Sequence, residues 1–145
     1  MSYYTGYYGK IIVREEFYYI IENGLDISTT ADPVFSLYKN IDDEDRFDRG
    51  FGNVSWDKWS FDRKNGCWEF RVEYNESHQG CPHVNLVNFF IPYISKEIID
   101  FYYFDEYDSP PYTPHRGWIP FLRKQIENRE DTIREICEEL GSYRL

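Results

Sequence analysis

The sequence predicts an α+β domain built on an antiparallel sheet, and three observations carry the prediction. Trp68, Phe70, Val72 and Tyr74 alternate with Glu69, Arg71 and Glu73, which is the two-residue period of a half-buried strand. This stretch follows Asn65-Gly66, with Trp59 and Phe61 alternating with polar neighbours before it. Asn and Gly tolerate positive φ, so the pair signals a hairpin turn. Finally, Ile119, Leu122, Ile126, Ile133, Ile136 and Leu140 mark one face of a long C-terminal helix.

The remaining elements follow in order. Residues 7–13 read as a first strand, with Ile11 and Val13 on one face and Ile12 on the other. Val13, Phe17, Ile20 and Ile21 fall at the spacing of one face of a short helix. Asn23-Gly24 stands where a left-handed C-cap is expected. Residues 34–38 fit a short strand or a helical turn. The acidic, glycine-bearing stretch 42–52 reads as a loop, because like charges and glycines oppose regular structure. Residues 83–91 are predicted helical, with Val84, Val87 and Ile91 on one face and Pro92 stopping or kinking the run. Residues 98–104 carry aromatics on both faces, which predicts a central or covered strand. Pro110, Pro111 and Pro114 place a loop over residues 105–115. Pro120 suits the first turn of the last helix, where Glu130 and Arg134 form an i,i+4 pair. The resulting order, β-α-(loop)-β-β-α-β-α, is the split β-α-β arrangement of ferredoxin-like folds with an added C-terminal helix. It fills a single domain over residues 1–145.

Size and charge narrow the function classes. A chain of 145 residues buries about 70% of its unfolded surface, enough for a core without staples. Aromatics make up 20% of it, with 14 Tyr, 11 Phe and 4 Trp, material that serves a core or a binding surface equally well. The formal net charge is −10. It is spread evenly: residues 1–73 hold 14 acids against 9 bases, and residues 74–145 hold 12 against 7. Such a chain repels nucleic acid and anionic membranes and seeks basic protein surfaces. Cys67, Cys81 and Cys137 give an odd count without a disulfide pattern. The sequence shows neither an apolar run of membrane-spanning length nor a signal-peptide pattern, so the cytoplasm is the expected compartment.

Few residues point to chemistry. His78, Cys81 and His83 lie close together and could ligate a transition metal, with Cys67 as a further ligand. Their spacing matches no zinc pattern, and neither a metal nor a cofactor is expected. Cys81 with His83 or His115 could form a nucleophile pair, but no strained elbow or oxyanion loop accompanies them. Asp57, Asp62, Asp105, Glu106 and Asp108 sit near aromatics, as the paired acids of sugar hydrolases do. No phosphate loop, dinucleotide fingerprint or EF-hand is present. Two acidic segments interleaved with aromatics are the stronger feature. The first holds Asp42, Asp43, Glu44, Asp45 and Asp48 with Phe47 and Phe51, and the second holds Asp105, Glu106 and Asp108 with Tyr103, Phe104, Tyr107 and Tyr112. Their acids with Phe51 and Tyr107, together with Trp118, form the predicted partner-binding set, aromatics anchoring and carboxylates steering toward a basic surface.

Ser55-Trp56-Asp57-Lys58-Trp59-Ser60-Phe61, then Gly66-Cys67-Trp68-Glu69-Phe70-Arg71-Val72, then Phe89-Phe90-Ile91-Pro92 and a Tyr-rich strand form a pattern. Together with Tyr4-Thr5-Gly6 and Gly9-Lys10-Ile11, it resembles a diffuse group of small ferredoxin-like proteins encoded by phages and other mobile elements. The resemblance covers residues 3–107 and brings no catalytic residue with it. It implies a genomic setting in which small accessory proteins block host defences, including CRISPR systems. The expected function is therefore a non-enzymatic inhibitor that occupies a basic surface on a host nuclease or nucleic-acid-binding complex. An immunity protein that plugs a toxin and a small hydrolase or metal enzyme are the two competing expectations.

Overall fold

The computed structural model describes residues 4–26, 30–42, 54–75 and 86–142. Strand β1 (Tyr4–Val13) leads through a 3-10 turn (Glu15–Phe17) into helix α1 (Tyr18–Glu22), and helix α2 (Pro33–Asp42) follows. The hairpin is β2 (Val54–Asp62) and β3 (Cys67–Asn75). A π-helical turn (Leu86–Phe90) runs into α3 (Ile91–Ile94), then β4 (Ser95–Asp105), α4 (Trp118–Glu127) and α5 (Arg129–Ser142). The four strands form one sheet in the order β2-β3-β1-β4, antiparallel at every pairing.

Alternation divides the sheet into a dry face and an open one. Tyr7, Ile11 and Val13 of β1, Trp68, Phe70 and Val72 of β3, and Ile98 and Phe101 of β4 are buried. They join Phe17, Ile20, Phe35, Phe90, Leu122 and Ile136 from the helical segments in one core. Register brings Gly9 opposite both Phe70 and Phe101 on this face, and a Cβ on Gly9 would stand 2.5 Å from the Phe70 ring. The missing side chain is the space the two phenyl rings occupy. Glu69, Arg71 and Glu73 point to the opposite face, as the alternation predicts; the Tyr74 side chain lies outside the described residues.

The structure decides several expectations and corrects others. Val13 is the last residue of β1, not the first of a helix, because its N–H is taken by the Gly66 carbonyl at 2.8 Å. Residues 34–38 belong to a helix, started by Asp32, whose Oδ1 accepts the N–H groups of Val34 (2.9 Å) and Phe35 (3.0 Å). Asn65-Gly66 closes a four-residue connection, with Gly66 at φ 76° and its N–H bonded to the Asp62 carbonyl at 2.8 Å. Pro92 does not end its helical run, which continues to Ile94. It stands at the start of α3, where a proline's missing N–H is least needed. Strand β4 is an edge strand and not a central one, but it is covered: α4 packs against it, and His115 pairs with Tyr103 along its outer edge. The long C-terminal helix is two helices that meet at Asn128. There Thr132 Oγ1 donates to the Gln125 carbonyl at 2.6 Å, and the Thr132 N–H bonds to the Asn128 carbonyl at 3.0 Å. Arg134 pairs with Asp131, three residues before it.

Among the described residues no helix is long and apolar enough to cross a membrane.

Candidate protein-binding surface

The end of β4 and the start of β1 build one corner of the open sheet face. Thr5 lies opposite Asp105 and Gly6 opposite Phe104. The buried Thr5 hydroxyl donates to the Phe104 carbonyl at 2.8 Å. Phe104 is 1% exposed yet lies outside the main core, on the open face. Gly6 makes its burial possible, because a Cβ there would stand 2.6 Å from Phe104 Cζ and 2.1 Å from the Val72 carbonyl oxygen. The Arg71 guanidinium lies 4.2 Å above the Phe104 ring, and Tyr112 meets the ring edge-on at 5.8 Å. Arg71 is held there by Asp57 and, at 3.1 Å, by Glu73.

The chain after β4 then folds back on itself, and its acids are the struts. Asp105 Oδ1 accepts the Tyr107 N–H at 2.8 Å, and Oδ2 accepts the Tyr103 hydroxyl at 2.9 Å. Asp108 Oδ2 accepts the Asp105 N–H at 3.1 Å, while Oδ1 meets His115 Nε2 at 2.9 Å. Glu106 Oε1 accepts the Tyr4 N–H at 2.9 Å. The Tyr112 N–H reaches the Asp105 carbonyl at 2.9 Å. These bonds hold Tyr112 at φ 62°, a left-handed conformation that costs a side-chain-bearing residue about 1–2 kcal/mol. They also leave three tyrosines outside: Tyr107 is 63% exposed, Tyr4 46% and Tyr112 39%. The loop continues along the β4 edge, where Arg116 Nε bonds Asp100 Oδ1 at 2.9 Å and its guanidinium covers Tyr102. Arg116 holds the Asp100 carboxyl below the usual carboxylate range.

From Tyr102 a polar row crosses the sheet. Tyr102 stacks on Tyr8 at 4.8 Å, the Tyr8 hydroxyl donates to Glu69, and Lys58 lies 3.3 Å from the same carboxylate. The Tyr8 hydrogen bond lowers the Glu69 pKa, while burial and then the Glu69 carboxylate push the Tyr8 phenol up.

The predicted set is thus partly assembled. Asp105, Glu106, Tyr107 and Asp108 share the corner, joined by Tyr4, Tyr112 and Glu73, which were not in the set. Tyr4 and Glu73 were missed because only strand register brings them beside the loop. Trp118 is half-buried, packs against the main core and meets Phe121 edge-on at 5.7 Å, so it serves the dry side of the sheet. Asp42 is the last residue of α2; Asp43, Glu44, Asp45, Asp48 and Phe51 lie outside the described residues, as do His78, Cys81 and His83. Asp57 is paired with Arg71, and Asp62 Oδ1 accepts the Lys64 N–H at 3.0 Å in the hairpin turn. Among the described residues no three His, Cys, Asp or Glu side chains gather as a metal site. Cys67 and Cys137 are free thiols whose pKa values burial raises, the opposite of nucleophile activation. In comparison with known proteins, no family model, no curated protein and no solved structure matches the chain.

Proposed function

We propose that this chain is a non-enzymatic inhibitor that binds a basic surface of another protein. In the setting its phage-like pattern implies, that partner is a host defence nuclease or nucleic-acid-binding complex. One observation carries the reading: Tyr4, Tyr107 and Tyr112 are exposed on two chain segments joined at one end of the sheet, where the Glu106 N–H bonds the Tyr4 carbonyl and the Tyr112 N–H bonds the Asp105 carbonyl, and the carboxylates of Asp105, Glu106 and Asp108 hold that loop in place. Exposed aromatics on a preordered loop supply contact energy with little ordering cost. The charge of −10 supplies long-range attraction to a cationic partner. The architecture accompanying this reading is the ferredoxin-like split β-α-β arrangement with a C-terminal helical addition. Its support is that β3 lies between β1 and β2, and β1 between β3 and β4, with helical segments in both crossovers.

The test begins with capture of a partner from host lysate and its identification. Binding kinetics of that partner then compare the wild type with Asp42, Asp43 and Asp45 changed to Asn, and with Tyr107→Ala. The Asn variant is expected to associate more slowly and lose part of its salt dependence, and Tyr107→Ala to dissociate faster. Unchanged rates in both variants would reject the reading. A bacterial toxin as the captured partner would replace the anti-defence role with immunity.

A further inference from the structure

Strand β2 forms one end of the sheet: β3 pairs along one side of it, and among the described residues no strand lies along the other. An edge strand of nine residues is a template for a further strand, because every second residue turns its N–H and C=O outward. The register of β2 against β3 slips by one residue between Trp56 and Lys58, at Asp57. This bulge changes which residues share a face. Trp56 and Trp59 both pack against the core and meet edge to face at 4.9 Å. Asp57 and Lys58 both lie on the open face, where Asp57 pairs with Arg71 and Lys58 lies 3.3 Å from Glu69. Without the bulge two such neighbours would point to opposite faces. With it, the chemistry of the strand reads alike from either end: Val54-Ser55-Trp56-Asp57 is answered by Lys58-Trp59-Ser60-Phe61. The backbone follows the same symmetry. Trp56 and Trp59 stand opposite Val72 and Phe70, and Ser55 and Ser60 stand opposite Glu73 and Glu69. Within each pair the β3 partners are an even number of residues apart, so both members present their N–H and C=O groups to the outer edge in the same sense.

Going beyond the inhibitor reading, we infer that β2 pairs antiparallel with β2 of a second copy of this chain, about a two-fold axis between Asp57 and Lys58. The contact is isologous, so every cross-pair occurs twice. Trp56 stands opposite the second copy's Trp59, Ser55 opposite its Ser60, Val54 opposite its Phe61, and Asp57 opposite its Lys58. Charges on an edge strand ordinarily keep a second copy away. Here they admit one register. The Asp57 side chain is 38% exposed and that of Lys58 51%, and the axis sets each against its opposite. Their pairs with Arg71 and Glu69 do not exhaust them, because a carboxylate accepts several donors and an ammonium has three. Shifting the register by one residue in either direction sets Lys58 against Lys58 or Asp57 against Asp57, so like charges exclude the neighbouring registers.

The experiment is sedimentation equilibrium of the full chain over a concentration series, at about 150 mM salt so that repulsion between two chains of like charge is screened. The wild type is expected to show a monomer–dimer equilibrium. Asp57→Lys and Lys58→Asp each set like charges across the axis, and each is expected to raise the dimer dissociation constant at least about tenfold. Mixed in equal amounts, the two variants again oppose unlike charges at both positions, and the mixed dimer is expected to return to within about threefold of the wild-type constant. That recovery separates loss of pairing from loss of fold. Amide hydrogen exchange supplies a readout that needs no variant: exchange in β2 should slow as the wild type is concentrated, while exchange in β4 stays unchanged. A wild type that remains monomeric at about 1 mM would overturn the inference. So would dimers that both charge reversals leave intact, folded variants whose mixture does not recover, or protection that maps away from β2. None of these results touches the inhibitor reading, whose surface lies on β1 and the chain after β4 and which falls only on the partner kinetics described above.

Discussion

Gly6 and Gly9 stand on opposite faces of β1, and each yields its side-chain space to an aromatic ring of a neighbouring strand. At Gly6 the nearest atom to an added Cβ is backbone, the Val72 carbonyl oxygen at 2.1 Å, which no rotamer change relieves. Gly6→Ala is therefore expected to lower stability by about 2–3 kcal/mol through overpacking, read as a lower urea midpoint with an unchanged slope. A neutral result would show that β1 shifts freely against β3. Tyr8 makes a different kind of prediction. Its hydroxyl donates to the Glu69 carboxylate, whose side chain is 23% exposed, and this bond lowers the Glu69 pKa below its ordinary value. A lowered carboxylate pKa contributes stability that is present above the unfolded-state value and lost as pH falls through the folded one. Tyr8→Phe should thus cost about 1–2 kcal/mol at pH 7. The gap between the two proteins should close as the pH falls beneath the ordinary carboxylate range and through the lowered Glu69 value of the folded wild type, where Glu69 becomes protonated in both. A gap independent of pH would mean that stacking on Tyr102, and not the hydrogen bond, is what the hydroxyl supports.

At the scale of elements, α2 and α3 are tied by one carboxylate. Asp32 caps α2 through Val34 and Phe35, and it accepts the Tyr93 hydroxyl from α3 at 2.7 Å and 2.9 Å. Tyr93 is 5% exposed, and Arg129 of α5 donates to its carbonyl at 2.7 Å while lying over its ring. Removing the carboxylate uncaps a helix and strands a buried hydroxyl. Asp32→Ala should therefore cost about 2–4 kcal/mol, and Asp32→Asn, which retains a capping oxygen, clearly less. Thermal unfolding of Asp32→Ala, Tyr93→Phe and the double variant should show coupling of about 1 kcal/mol or more. Additive effects would show that the cap and the tyrosine act separately.

Over the whole molecule, two electrostatic effects oppose one another. Ion pairs such as Lys58–Glu69, Arg63–Glu22 and Arg134–Asp131 join side chains that are 23% to 66% exposed, and pairs so placed contribute little each. The net charge of −10 acts over longer distances and resists compaction. The second effect should win: raising salt from about 10 mM to about 150 mM shortens the screening length from about 30 Å to about 8 Å, and Tm should rise. A falling Tm would show that the ion pairs dominate. The same salt change should weaken binding to a basic partner. Asp105 and Asp108 are poor positions for testing that steering, because their oxygens hold the β4 loop. Neutralising them would alter the tyrosines' placement as well as the charge.

What the sequence determined by itself is local. The period of β3, the Gly66 turn and the helical spacing of Leu122 and Ile136 depend on residues within a few positions of one another, so alternation and turn chemistry alone make them legible. The acid–aromatic composition of residues 105–108 was legible for the same reason. Only the tertiary structure decided what those residues do. The break at Asn128 comes from Thr132 reaching back to Gln125. The edge position of β4 comes from pairing with β1, about ninety residues earlier. Phe104 and Ile98 read alike as apolar strand residues, yet they are buried on opposite faces. The difference arises because the β4 register shifts against β1 between Lys10 and Ile11, and because Gly6 and Arg71 make room and cover for one ring. Tyr4, Glu73 and Tyr112 become one surface only through this long-range pairing, which the balance of packing over the whole sheet selects and no local pattern encodes.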